Sequence, residues 1–184
     1  MKKAGIREVV AAGIGTALFV VLTEVQIPLV IVPNTALQVR AALLAFMAAV
    51  YGPWVGLIMG FAGHALGDAL FYGSVWWSWV FPDAVFGLVM GLFAKKFAIA
   101  EGGFGGKQIA LFNIVQVAAN AVAWIIVAPV LDILIYAEPA NKVFAQGALA
   151  FLANIIITAI LGTLLGVAYS RIGAKSSSLK KEED

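Results

Sequence analysis

The sequence predicts an all-α integral membrane protein, a bundle of six transmembrane helices with both termini cytoplasmic. Three observations carry that prediction. First, the 184 residues are 62% hydrophobic and 12% charged, whereas soluble domains are about 45–50% apolar and about 25% charged. Mean hydropathy is +0.99, more apolar surface than a globule of this size can bury. Second, clusters of charge, proline and glycine cut the chain into six pieces, most of them near the roughly 20 apolar residues that cross a bilayer. Third, the cations are unevenly distributed. Lys2, Lys3, Arg7, Lys95, Lys96, Lys107, Arg171, Lys175, Lys180 and Lys181 fall on one side of such a bundle, and only Arg40 and Lys142 on the other. Basic residues mark the cytoplasmic face.

The first span is expected from Val9 to Ile27, ending at Pro28. Its length exceeds a signal-peptide core, so it is expected to be retained. Pro28–Arg40 is apolar but broken by two prolines, and reads as a loop that dips back or lies in the interface. Span two is short, Val39 to Tyr51, and stops at Tyr51-Gly52-Pro53 because proline disfavours helix at the residue before it. Span three runs from Trp54 to Tyr72 and span four from Trp79 to Phe97. Glu101–Lys107 is a glycine-rich flexible connector. Span five covers Ile109 to Leu131, Asp132–Lys142 is a loop, and span six covers Val143 to Tyr169. The chain divides into one membrane domain, 1–172, and a polar cytoplasmic tail, 173–184.

Composition also excludes chemistry. With no Cys there are no disulfides, thiolate metal sites or cysteine nucleophiles. A net charge of +2 gives no argument for nucleic acid. Gly102–Gln108 superficially suggests a phosphate loop, but Glu101 stands where its first glycine belongs and Gln108 where it needs Ser or Thr. His64 is the one histidine, so neither a Ser–His hydrolase nor a multi-histidine metal site is supported. No internal repeat emerges, which counts against a self-sufficient secondary transporter. The chain reads as non-catalytic, with no cofactor and no metal.

Polar side chains within spans face the bundle or a cavity. His64 and Asp68 are one helical turn apart on a glycine-rich face and read first as a structural polar pair joining two helices, with a ligand contact, a pH-sensitive element or an intramembrane active site as alternatives. Asn113, Gln116, Asn120 and Trp124 form a stripe on span five. Gln146, Asn154 and Thr158 form another on span six, and Asp83 opens span four. Trp76, Trp77 and Trp79 crowd one outward connection. Each alone fits an interfacial aromatic belt, but beside Asp83, Asn34, Gln38 and Arg40 they resemble the walls of a small-molecule site. The residues thus describe a polar, aromatic-lined cup open to the outside and lacking a motor. Span one offers small-xxx-small pairs at Ala11/Gly15 and Gly13/Ala17 as a docking face; the sequence does not choose between them.

The stretch Tyr51-Gly-Pro-Trp-Val-Gly-Leu-Ile-Met-Gly-Phe-Ala-Gly-His64-Ala-Leu-Gly-Asp68, followed by Gly73-Ser-Val-Trp76-Trp77-Ser-Trp79, resembles the substrate-binding S-components of energy-coupling-factor (ECF) vitamin transporters. The likeness covers residues 5 to 172. It implies a multi-pass protein of the bacterial cell membrane that binds a vitamin from outside. Its partners would be an EcfT-type coupling subunit and two cytoplasmic EcfA-type ATPases, which use the ATP and magnesium. The branch it is most similar to includes cobalamin-specific members, so cobalamin is the foremost expectation. Riboflavin, pyridoxine, a thiamine precursor and a methionine precursor are alternatives, as is a self-sufficient carrier or channel. The resemblance further implies that Asn34, Arg40, Trp76, Trp77, Trp79, Asp83, Asn120, Trp124, Tyr136 and Asn154 lie where ligand is held. By the same likeness, Ala11, Gly13, Gly15 and Ala17 lie where the coupling subunit docks.

Overall fold

The structure, a computed structural model, describes residues 5–29 and 35–182. It is mostly helical. Four stretches are long and apolar enough to cross a membrane: Ile6–Glu24, Pro53–Phe71, Gly106–Tyr136 and Ala140–Gly173. Two shorter apolar helices, Val39–Tyr51 and Trp77–Leu92, complete the set.

Helix α1, Ile6–Val21, turns Ala11, Gly15 and Phe19 inward at four-residue spacing and leaves Ile6, Val9, Ile14 and Leu18 exposed. The chain does not continue as helix to Ile27. A 3₁₀ turn, Leu22–Glu24, leads into strand β1, Gln26–Pro28, which pairs antiparallel with β2, Ala36–Gln38, in the register Gln26↔Gln38. The expected loop is therefore the arms of a two-stranded hairpin, and the protein is not purely α. Proline is tolerated because a two-stranded ribbon consists of edge strands.

Helix α2, Val39–Tyr51, has eight of its 13 residues buried, most of them alanine. At about 20 Å it is shorter than the hydrocarbon core; it runs enclosed by its neighbours, so its length is set by packing. Gly52, at φ +98°, makes the turn that Tyr51-Gly-Pro predicts, and Pro53 opens α3, Pro53–Phe71.

Helices α3 and α4, Trp77–Leu92, cross at backbone contact. A Cβ on Gly56 would lie 2.2 Å from the Gly87 carbonyl oxygen, and one on Gly60 would lie 2.4 Å from that of Asp83. One on Gly91 would meet Pro53 Cα at 2.3 Å. Only glycine permits this approach. It brings Asp83 of α4 beside His64 of α3.

After α4 a short helix α5, Ala94–Phe97, ends at Ala98 in the left-handed region. The glycine-rich connector is docked rather than free: Phe104 is buried against Phe112, and its backbone N–H donates to Ser170 Oγ at 3.2 Å. Helix α6, Gly106–Asn120, passes through a π-helical stretch, Ala121–Val127, into α7, Ala128–Tyr136. Asp132 is thus helical, not part of a loop, and the true connection is Ala137–Pro139. Helix α8, Ala140–Ile157, continues through a second π stretch, Thr158–Gly162, into α9, Thr163–Glu182. Helix therefore persists beyond the expected end at Tyr169.

Candidate functional site

One end of the bundle holds a cavity of about 480 Å³, within the range of small-molecule sites. The hairpin forms one wall with Gln26, Pro28, Thr35, Ala36 and Gln38. Arg40, His64 and Asp68 lie at its base. Tyr72, Ser74, Trp76 and Trp79 form the next wall, followed by Trp124, Asp132 and Glu138. Lys142, Gln146, Ala150 and Asn154 of α8 close the ring.

The base is a buried ionic network. His64 Nδ1 lies 2.7 Å from Asp83 Oδ2, and Nε2 lies 3.5 Å from Asp68 Oδ1 and 3.4 Å from Arg40 Nη2. Asp83, more than Asp68, is the close partner of the imidazole. If Nδ1–H donates to Asp83, Nε2 is left to accept from Arg40; if both nitrogens are protonated, Nε2 donates to Asp68. Arg40 is 3% exposed. Its Nε donates to Gln38 Oε1 at 2.6 Å and its Nη1 to Thr23 Oγ1 at 3.0 Å, while its guanidinium lies 4.8 Å from the centre of the Phe19 ring. Gly67 leaves room for this: a Cβ there would lie 2.5 Å from Thr23 Oγ1. Gln38 also donates to Gln26, and Gln26 to the Tyr72 hydroxyl at 3.0 Å, so the hairpin is tied to the base by polar side chains.

The aromatic wall is built around Asp132. Trp76 Nε1 donates to Asp132 Oδ1 at 2.7 Å, Trp79 Nε1 donates to Oδ2 at 2.8 Å, and Ser78 Oγ donates to Oδ1. Three donors converge on one carboxylate that is 2% exposed. An ionised Asp, which only accepts, suits that arrangement. The start of α4 is pinned twice more: the Trp76 backbone N–H donates to Asp68 Oδ2 at 3.1 Å, and that of Trp77 donates to the Tyr136 hydroxyl at 3.0 Å. Trp76 stacks on Tyr136 with ring centres 4.2 Å apart, and Trp79 meets Trp124 edge-on at 5.4 Å. The Trp76 and Trp79 indoles are each locked by a hydrogen bond and a ring contact, which fixes the wall before anything binds.

The residues singled out in the sequence distribute as follows. Arg40, Trp76, Trp79, Trp124 and Asn154 line the cavity, with His64 and Asp68 at its base. Tyr136 backs the wall through Trp76, and Asp83 sits beneath His64. Asn120 is fully buried and bonded to Gln116. Trp77 is turned away, 42% exposed, with its ring 6.0 Å from that of Phe61. Asn34 lies outside the described residues. Trp124 Nε1 is buried and has no partner among the described residues, leaving a donor on a residue that lines the cavity. Sequence reasoning missed Asp132 as a site residue because it placed the helix end too early. An aspartate three residues after Pro129 in an apolar run was the available signal.

On α1, Ala11 and Gly15 face inward; a Cβ on Gly15 would meet Met59 Sδ at 2.9 Å. Gly13 and Ala17 are exposed, and a Cβ on Gly13 would meet nothing within 4 Å. At the opposite end from the cavity, Arg7 donates to the Tyr169 hydroxyl at 3.1 Å and lies 5.3 Å from the centre of the Tyr51 ring.

Residues 3–171 match the family model described as the S component of ECF-type riboflavin transporters. A UPF0397 protein of Streptococcus gordonii is 51% identical over 177 residues, covering 96% of this chain and 95% of the relative. A UPF0397 protein of Exiguobacterium is 48% identical over 176 residues, covering 96% of each chain. One from Lactobacillus helveticus is 50% identical over 178 residues, covering 97% and 96%. No solved structure matches the chain.

Proposed function

The chain belongs to the ECF-type S-component family, a family of membrane-bound, non-catalytic substrate-binding subunits, and from that premise we propose how it works. It captures a vitamin in the cavity described above and delivers it inward with an EcfT-type coupling subunit and two EcfA-type ATPases. Six helices span the membrane, two of them short and enclosed. The termini and the Arg7–Tyr169 end are cytoplasmic, and the cavity faces outside. The observation that carries this reading is the cavity itself. It combines a fixed aromatic wall with a polar base, and among the described residues the basic side chains that line it are Arg40 and Lys142.

The ligand is read from two supports that differ. The resemblance of the Tyr51–Asp68 and Gly73–Trp79 stretches supports cobalamin. The volume of about 480 Å³ favours a smaller flat ring system. A corrinoid would have to displace the hairpin or remain partly outside, whereas riboflavin, which the family model's description names, is of a size the cavity admits. Calorimetric titration of the purified chain with cobalamin, riboflavin and a vitamin panel, without ATP, decides between them. Tight one-to-one binding identifies the ligand. Flux of a solute through liposomes that hold only this chain, with no vitamin bound, would favour a self-sufficient carrier instead.

The exposed pair Gly13 and Ala17 supports that face of α1 as the contact for the coupling subunit. The inward pair Ala11 and Gly15 is occupied by packing within the chain.

A further inference from the structure

The cavity carries a net negative charge that no described residue neutralises. Among the described residues the buried titratable side chains are Arg40, His64, Asp68, Asp83 and Asp132. One cation against three carboxylates leaves a formal −2 with the imidazole neutral, and −1 with it protonated. Four of the five form the network at the base. Asp132 stands apart from it, satisfied only by the uncharged donors Trp76, Ser78 and Trp79. Neither cation that lines the cavity is free to offset the deficit. The Arg40 guanidinium is already committed to Gln38 and Thr23 and sits against His64. Lys142 is paired with Glu138 at 2.7 Å on the rim. An arginine fork held open for a ligand carboxylate or phosphate is therefore missing among the described residues. Charges in such a site act through a low dielectric and are weakly screened.

We propose that the cup selects by charge: it accepts ligands that are uncharged or cationic overall and rejects net anions, so that a vitamin enters without a phosphate monoester or a free carboxylate. That the cup is the ligand site rests on the transport reading above; its charge does not. Asp132 sets the selectivity at the aromatic wall. An anion placed against Trp76 and Trp79 would stand beside a carboxylate with no cation to answer it, whereas a cation there meets both the carboxylate and the indole faces.

The test uses ions as probes and needs no knowledge of the vitamin. Trp54 and Trp77, both exposed and neither lining the cavity, are replaced by Phe, leaving Trp76, Trp79 and Trp124 as the emitters. The full chain in non-ionic detergent is titrated with iodide, caesium and neutral acrylamide, each normalised to N-acetyltryptophanamide in the same buffer. The proposal expects normalised caesium quenching to exceed iodide quenching several-fold. Asp132→Asn in that background should narrow the ratio while far-ultraviolet circular dichroism stays unchanged. Iodide quenching equal to or above that of caesium overturns the proposal, as does a ratio that Asp132→Asn leaves unmoved. A second arm measures riboflavin against riboflavin 5′-phosphate by the same emission. At least tenfold weaker binding of the phosphate ester supports the proposal, and equal or tighter binding of the ester overturns it. Failure of the chain to assemble with a coupling subunit would count against the transport reading and leave the ion result intact.

Discussion

Gly60→Ala links the helix crossing to the site and can be worked through from the geometry. The added Cβ would lie 2.4 Å from the Asp83 carbonyl oxygen, 2.6 Å from its carbonyl carbon and 2.9 Å from Ala84 N. All three are backbone atoms, so no rotamer change relieves the clash. To reach an ordinary contact α4 must move away from α3, and Asp83 moves with it. The 2.7 Å contact between Asp83 and His64 then lengthens past hydrogen-bond range. Overpacking of this kind costs about 1–3 kcal/mol, and a domain of this size loses about 2–4 °C in Tm per kcal/mol. The assay is a thermal melt in detergent, paired with vitamin affinity by calorimetry. Gly60→Ala is expected to lower both, and Gly13→Ala, which meets no atom within 4 Å, to lower neither. A Gly60→Ala protein with wild-type Tm and affinity would refute the claim that backbone contact between α3 and α4 positions the His64–Asp83 pair.

Trp76→Ala should weaken vitamin binding at least tenfold, while Trp77→Ala, whose ring packs on Phe61 away from the cavity, should leave calorimetric affinity within twofold. Asp132→Ala orphans three donors at about 1–3 kcal/mol for each one left buried; a melt should fall by several degrees and near-ultraviolet circular dichroism of the indoles should change. Gly13→Leu with Ala17→Leu should keep vitamin binding and lose co-purification with the coupling subunit. Ala11→Leu with Gly15→Leu drives bulk into Met59 and Met47 and should lower Tm first; unchanged stability there would show that α1 is not seated as described.

What was legible in the sequence follows from what periodicity and breakers encode. The limits of α2 at Val39 and Tyr51 coincide with those expected, and the second was set by Tyr51-Gly52-Pro53, because proline and left-handed glycine act locally. The crowding of Trp76 and Trp79 at the connection before α4 was legible too, since the aromatic run is continuous in sequence. Trp77 was not separable from them: consecutive residues on a helix point about 100° apart, and which of the three faces inward depends on where α4 begins. The hairpin was hidden because three-residue strands are too short to show alternation. Asp132 was hidden for a different reason. An aspartate and a following Pro139 look like a helix end, and only three donors on another helix make a buried carboxylate tolerable at that position. The glycine spacing on α3 showed that a helix would approach closely but could not name α4 as the partner.

The π stretch at Ala121–Val127 has a consequence for the phase of everything after it. A π turn holds one more residue than an α turn, and each residue of an α-helix advances the face by about 100°. Were α6 to run into α7 without the stretch, Asp132 would point roughly a quarter-turn away from Trp76, Ser78 and Trp79, toward lipid or a neighbouring helix. The widened turn thus works as a rotational offset: α6 packs in one angular frame and α7 presents its carboxylate in another. Deleting one residue between 121 and 127 would remove the wide turn and leave α7 in its present phase, so Asp132 would still face the indoles; forcing the full-length stretch into the α form would rotate Asp132 away and dismantle the cup.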